Sequence, residues 1–571
     1  MVVSHDTVSV SINGGTIVGK RQPASRDYPK AVDVFYGIPY ATVERFQPAV
    51  PVNPPVTTLE AHSTRADQPC PTTPQGSPET PLTLNVFRTA PRRGTTAGDA
   101  GDDDDRAGVN RGTLPVIVYF HGGAFNFGDP LERDFASLVA WAPTDVLVVT
   151  ASYRLGVLGF LAGGSDGLGQ TANLGLRDQR LAFEWVKHWA GAFGALRDGE
   201  VTLMGASAGA HAVGHHLLCP VPLPSHAKSI LESGSPTARS VLSSHHPRPV
   251  AQLASLRRHA AARHSETSLV VLPLKDLLDA GLDVWADNED SVCWPFQPVV
   301  DGPGGVVPRP PLALWADFVA SGRAEDHSVI TGFCSNEGTQ FVPVNAATND
   351  EFLSFFHTLI PALSADDLAQ LETLYPDPTA QASSASASPK ASMYANPPGC
   401  RHGAQFTRLQ TAYGHYAYVC PVLHTAHTLA LAGARAVYLY EYAALSSPFA
   451  AASHGDQAPV VDHDMALLLH QPGLQAVANA MNSRWITFAA APDGMLDEAL
   501  WPPFETPFAD GPAAGDGRLL VFGGGNDEAA GGVARGTPVA TRTLTDAEKE
   551  QCRFWWQKME LSQGMCVRAS S

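Results

Sequence analysis

Val201-Thr202-Leu203-Met204, then Gly205-Ala206-Ser207-Ala208-Gly209, then Ala210-His211-Ala212-Val213-Gly214-His215-His216 reads as a buried strand, a tight turn and a helix. A serine at the apex of such a turn takes backbone angles that most residues avoid, and flanking glycines let strand and helix pass closely. Its hydroxyl stands clear of the chain. The helix start behind it offers free N–H groups and the positive end of a macrodipole, which favour negative charge beside the serine. In a chain with 51 glycines a small-x-Ser-x-small pentapeptide also arises in plain loops, so the other segments must decide.

Three of them supply what a serine nucleophile needs. Leu114-Pro115-Val116-Ile117-Val118-Tyr119-Phe120 is an apolar strand that runs into His121-Gly122-Gly123-Ala124-Phe125, where consecutive glycines can aim amides at one point. Gly122 and Gly123, with Ala208 after the serine, are the candidate oxyanion donors. Ser328-Val329-Ile330-Thr331-Gly332-Phe333 is a second strand, and the loop after it carries Glu337. Ala436-Val437-Tyr438-Leu439-Tyr440-Glu441-Tyr442 is a third, followed by a loop with His454. A serine hydroxyl needs an imidazole to take its proton and a carboxylate to hold the imidazolium, so Ser207, Glu337 and His454 form the candidate triad. His463, His415 and His470 are rival bases.

With these segments together the chain resembles the type-B carboxylesterases, the cholinesterase-related α/β-hydrolase family, and is most similar to its fungal members. The resemblance rests also on Val34-Phe35-Tyr36-Gly37-Ile38-Pro39-Tyr40-Ala41, Leu84-Asn85-Val86-Phe87, Ser152-Tyr153-Arg154-Leu155-Gly156 and Asn173-Leu174-Gly175-Leu176-Arg177-Asp178-Gln179. After the serine come Leu231-Glu232-Ser233-Gly234-Ser235, Pro298-Val299-Val300-Asp301-Gly302, Ser335-Asn336-Glu337-Gly338 and His454-Gly455-Asp456. It implies an α/β class chain with the α/β-hydrolase fold: a large central, mostly parallel sheet with helices on both faces and a small N-terminal β-meander. It also implies a serine hydrolase of carboxylic esters working without a cofactor, with Ser207 as nucleophile, His454 as base, Glu337 as its orienting acid and Gly122, Gly123 and Ala208 as oxyanion hole.

The chain departs from that pattern in three places. Relatives usually carry Glu where Ala206 stands, and no counterpart of the cholinesterases' choline-stacking tryptophan loop is evident, so a choline ester is not expected. The family's N-terminal disulfide lacks a partner for Cys70, since Pro81 occupies the usual position, and Cys70 reads as a free thiol. Phe125 and Phe127, after the oxyanion glycines, read equally as acyl-pocket walls or as packing. Ala206, Trp294, Phe296 and Phe341 complete the candidate substrate pocket, and Phe356 is a further candidate wall. Arg154 and Asp178 are a candidate structural ion pair, and His121 reads as a loop-shaping residue.

Strands spread from near residue 30 to near 445 belong to one sheet, so the 571 residues read as a single domain, 1–571. Insertions are expected at 91–112, 376–398 and 523–536. The run Asp102-Asp103-Asp104-Asp105 lacks the spaced ligands and turn glycine of an EF-hand loop, so no metal is assigned. A net charge of −18 disfavours nucleic acid and anionic membrane surfaces, leaving a small-molecule ester as the expected partner. No apolar run is long enough to span a bilayer, and oligomeric state is left open. The first residues show no basic segment followed by an apolar core. The eight cysteines have no metal-ligand spacing and read as buried thiols. A cytoplasmic location is therefore expected ahead of secretion.

Two other classes stay open at this point. The same triad serves amide or lactone hydrolases and acyltransferases of specialised metabolism, and cholinesterase-like folds also serve as non-catalytic interaction proteins.

Overall fold

The computed structural model describes residues 6–61, 81–91, 112–162, 171–196, 199–238, 241–265, 268–380, 391–511 and 514–565. The order of its elements begins with strands β1 (Asp6–Ile12), β2 (Gly15–Gln22), β3 (Val32–Thr42), β4 (Leu82–Thr89) and β5 (Val116–Phe120). Helix α1 (Phe135–Trp141), strand β6 (Leu147–Ala151), helix α2 (Leu174–Trp189), strand β7 (Val201–Ala206), helix α3 (Ala208–Leu218) and strand β8 (Lys228–Glu232) follow. Strand β9 (Ser328–Cys334), helix α4 (Phe406–Gly414), helix α5 (Cys420–Leu431) and strand β10 (Ala436–Tyr442) come next. The chain then forms the short helix α6 (Ala458–Val461), helix α7 (Pro472–Ala490), the hairpin β11 (Arg518–Asn526) and β12 (Arg535–Thr543), and helix α8 (Asp546–Gln557).

These strands form one sheet in the order β1-β2-β3-β4-β6-β5-β7-β8-β9-β10-β11-β12, with Val50–Pro51 and Thr58–Glu60 paired at its side. β6 through β11 run parallel, while β1–β4 at one end and β12 at the other are antiparallel. The expected meander is thus the end of the large sheet. A parallel sheet is buried on both faces, which explains why the central strands are near-continuous apolar runs. Alternate residues feed two cores: Val116, Val118 and Phe120 of β5 enter one, Ile117 and Tyr119 the other. Phe183, Trp185 and Val186 of α2 and Val213 of α3 cover the first face, and Leu138 of α1 with Val477, Met481 and Trp485 of α7 cover the second. The fold class is that of an α/β-hydrolase.

Arg154 and Asp178 form a buried pair through two parallel bonds, Nε to Oδ2 at 2.8 Å and a terminal nitrogen to Oδ1 at 2.7 Å. Asp178 Oδ2 also accepts the Arg154 backbone N–H at 3.1 Å, so the pair ties the turn after β6 to α2 with each carboxylate oxygen occupied.

The expectation that the cysteines are all buried thiols is corrected. Cys420 at the start of α5 and Cys552 in α8 are joined in a disulfide, because the packed helices bring their Cα atoms within 4.9 Å. Cys219 and Cys334 are buried free thiols, and Cys293 and Cys400 are partly exposed ones. Cys70 and the Asp102–Asp105 run lie outside the described residues, as do 92–111 and 381–390 within the first two expected insertions. The third, 523–536, forms the paired tips of β11 and β12 and the turn between them. Among the described residues, no helix is long and apolar enough to cross a membrane.

Candidate active site

The turn between β7 and α3 holds Ser207 at φ 55° and ψ −121°, outside the regions open to most side chains. Two contacts explain its small neighbours. A Cβ on Gly205 would run into the backbone of Gly209, and one on Gly209 would run into the Phe120 carbonyl oxygen of β5. The serine is fixed from both sides of its own backbone: its N–H donates to the Glu232 carbonyl at 2.9 Å, and its carbonyl accepts from the His211 N–H at 3.0 Å.

Glu337 follows β9 and His454 follows β10, which lie side by side with Cys334 opposite Tyr442. Their loops are laced together: the Asn336 N–H donates to the Ala452 carbonyl at 2.9 Å, and the Thr339 hydroxyl donates to the Ser453 hydroxyl at 2.9 Å. The carboxylate of Asp456 caps the histidine loop by accepting from the Ser453 N–H at 2.7 Å, and burial pushes that carboxyl up from its ordinary value. Glu337 is fully buried. Its Oε1 accepts the Cys334 N–H at 2.7 Å, and its Oε2 lies 2.5 Å from His454 Nδ1. With Nδ1–H donated to the carboxylate, Nε2 carries the lone pair; this atom is buried and has no hydrogen-bond partner among the described residues. His454 and Ser207 line one cavity of about 620 Å³. Tyr418 backs the imidazole with its ring centroid 4.3 Å away.

The rival bases are engaged elsewhere. His463 stacks on Trp141 at 3.7 Å and its Nε2 meets Asn479 at 3.0 Å. His415 pairs with the Tyr375 hydroxyl at 2.9 Å, and burial pushes it down to about 4. His470 is exposed and outside this cavity. His121 is buried, stacks on Tyr153 at 4.4 Å and holds the Gly122 carbonyl at 2.9 Å, which shapes the loop as expected.

The candidate oxyanion amides differ in their surroundings. The Gly122 N–H donates to Glu132 Oε1 at 3.4 Å, so this amide already has an acceptor. Gly123 (φ 98°) and Ala124 (φ 53°) turn the chain next to it and both line the cavity. No described residue accepts a hydrogen bond from the amides of Gly123, Ala124 or Ala208. The positive φ of Ala124, a non-glycine residue, leaves no signature in sequence.

Of the expected pocket residues, Ala206, Phe127, Trp294 and Phe341 line the cavity. Phe125 does not: it is buried against Phe160, 4.8 Å between centroids. Phe296 faces two neighbouring cavities instead, and Phe356 packs on Trp555 at 5.4 Å. Trp285 was missed because its helix reads as ordinary core-facing sequence. It joins a continuous aromatic wall in which Phe127, Trp285, Trp294 and Phe341 follow at centroid separations of 4.7, 5.2 and 5.4 Å, ending 5.2 Å from His454. The cavity lining also includes the charged residues Glu132, Arg133, Asp134, Asp462 and Asp464. Among the described residues, no group of His, Cys, Asp or Glu could hold a metal ion.

Comparison with known proteins identifies the family. The model of the carboxylesterase family matches residues 6–510. The chain is 32% identical to secreted lipase 4 of Gibberella zeae over 445 residues, covering 74% of this chain and 73% of the lipase. It is 27% identical to the inactive carboxylesterase-like protein VdtD of Byssochlamys spectabilis over 66% of each chain. A third similarity, 37% to the acetylcholinesterase of Gallus gallus, covers 36% of this chain and 27% of that enzyme. The expected cytoplasmic location is corrected by the first of these, which points to secretion, and a disulfide such as Cys420–Cys552 persists in oxidising compartments. On the family match along nearly its whole length, the chain belongs to the carboxylesterase family and is a carboxylic ester hydrolase of the α/β-hydrolase fold.

Proposed function

We propose that this hydrolase works by two-step acyl transfer on Ser207. His454 Nε2 takes the serine proton as the hydroxyl attacks the ester carbonyl, and the amides of Gly123, Ala124 and Ala208 stabilise the oxyanion. The alcohol leaves with a proton from His454. Water, deprotonated by the same nitrogen, then releases the acid and frees the serine. Glu337 holds the ring in the tautomer that leaves Nε2 basic and stabilises the imidazolium. The observation that carries the reading is the buried Nε2, without a hydrogen-bond partner among the described residues, of a histidine whose other nitrogen is held by Glu337, in the same cavity as Ser207.

The aromatic wall of Phe127, Trp285, Trp294 and Phe341 supports an apolar acyl group on that side, and the substrate is a small-molecule ester. The chain acts as one domain, since the candidate residues hang from strands of a single sheet. The test is turnover of short p-nitrophenyl esters together with labelling by a fluorophosphonate. Wild type is expected to turn over and label at Ser207, and Ser207→Ala to lose both; retained turnover in the variant overturns the assignment.

A further inference from the structure

Arg133 stands where three parts of the site meet, and its sequence neighbourhood gives no hint of it. Its guanidinium is almost wholly buried and grips Asp462 with two parallel bonds, Nε to Oδ2 at 2.8 Å and a terminal nitrogen to Oδ1 at 2.6 Å. The other terminal nitrogen donates to Glu232 Oε2 at 2.7 Å, and the Ala458 carbonyl is reached at 3.3 Å. Trp485 donates its indole N–H to the remaining Glu232 oxygen at 2.8 Å. The rings of Tyr119 and Phe135 flank the guanidinium at 5.0 and 5.3 Å.

Each carboxylate belongs to one half of the reacting pair. Glu232 ends β8 opposite Ala206, and its own carbonyl accepts the Ser207 N–H at 2.9 Å. Asp462 closes α6, the helix that follows the His454 loop, and Ala458 is its first residue. The next residue, His463, is pinned by the Ser137 hydroxyl to its carbonyl at 2.7 Å. We infer that Arg133 is a positioning residue that sets the separation of the Ser207 turn from the His454 loop. The inference rests on the Ser207–His454 reading above.

The chemistry suits arginine alone. A planar fork with fixed donor directions can hold two carboxylates at a set distance, whereas a lysine is a single point charge on a flexible stem. Nucleophile and base come from strands far apart in sequence, and a displacement of about 1 Å between them can cost about 10²-fold in rate.

The experiment counts competent serines with a fluorophosphonate and measures kcat per labelled serine beside KM and melting temperature. For Arg133→Lys, kcat per labelled serine is expected to fall by about 10²-fold with KM within about twofold of wild type. Asp462→Asn, which keeps one acceptor and nearly the same shape, is expected to fall about tenfold with the same unchanged KM. A purely structural role would lower the labelled fraction and the melting temperature while leaving kcat per labelled serine within twofold of wild type, and that result overturns the inference. Failure of both variants to yield any labelled enzyme assigns the network to folding and overturns it as well. Absence of labelling in wild type would instead overturn the assignment of Ser207.

Discussion

His454 Nδ1 lies 2.5 Å from Glu337 Oε2, although 117 residues separate them along the chain. The contact exists because β9 and β10 are parallel neighbours in register, so the loops leaving their ends face each other and bond backbone to backbone. The carboxylate is held by a main-chain N–H on one oxygen, leaving the other for the imidazole.

Glu337→Gln keeps the shape but removes the charge and allows the amide to bind the wrong tautomer. A fall in kcat of about 10³–10⁴-fold is expected, with labelling by a fluorophosphonate slowed in parallel. Steady-state kinetics on a short p-nitrophenyl ester measure it, and a loss below tenfold would sink the role given to Glu337.

The oxyanion donors can be separated by replacing single amides with esters. Introducing the α-hydroxy analogue at Gly123 or Ala124 is expected to reduce kcat by about 10²–10³-fold. The same replacement at Gly122, whose N–H faces Glu132, is expected to cost less than about tenfold. Equal losses at all three positions would contradict the proposed donors Gly123 and Ala124.

Trp294 lines both the Ser207 cavity and a neighbouring one that also meets Leu253, Phe296 and Tyr416. Trp294→Ala removes that partition. Relative kcat/KM for long over short acyl esters is expected to rise about 10–100-fold, since each methylene that gains an apolar site is worth about 1–3 kcal/mol. A chain-length series on the variant measures it, and an unchanged ratio would show that the acyl group lies elsewhere.

Burial pushes His215 and His424 down to about 4 and His226 to about 3, so all three are neutral in the folded chain. Unfolding returns each to an ordinary value near 6.5, and the unfolded chain then binds more protons at acidic pH. The stability each contributes is therefore complete above about pH 6.5 and is lost as pH falls toward the folded values, by on the order of 2 kcal/mol per residue at pH 5. Melting temperatures followed from pH 7.5 to 4.5 should hold nearly level down to about pH 6.5 and fall below it. His215→Leu should flatten the slope, and an unaltered slope would count against the assignment.

The parts of this protein written locally were legible in its sequence. β5, β7, β9 and β10 are continuous apolar runs because a parallel sheet covered on both faces has no polar side, and the small residues around Ser207 answer to backbone contacts that a Cβ would block. The expected order of serine, carboxylate and histidine followed from strands ending at one sheet edge. What a side chain or amide points at was decided by residues far away in the chain. The Gly122 N–H has Glu132 as partner while the Ala124 N–H has no acceptor among the described residues, and Phe125 packs inward while Phe127 lines the site, though each pair is nearly adjacent. Cys420 meets Cys552 only because α5 and α8 pack, and Arg133 meets Glu232 and Asp462 only because β8 and α6 converge. Periodicity and turn chemistry act over a few residues and select elements, whereas partners are set by the packing of those elements, which no short window of sequence contains.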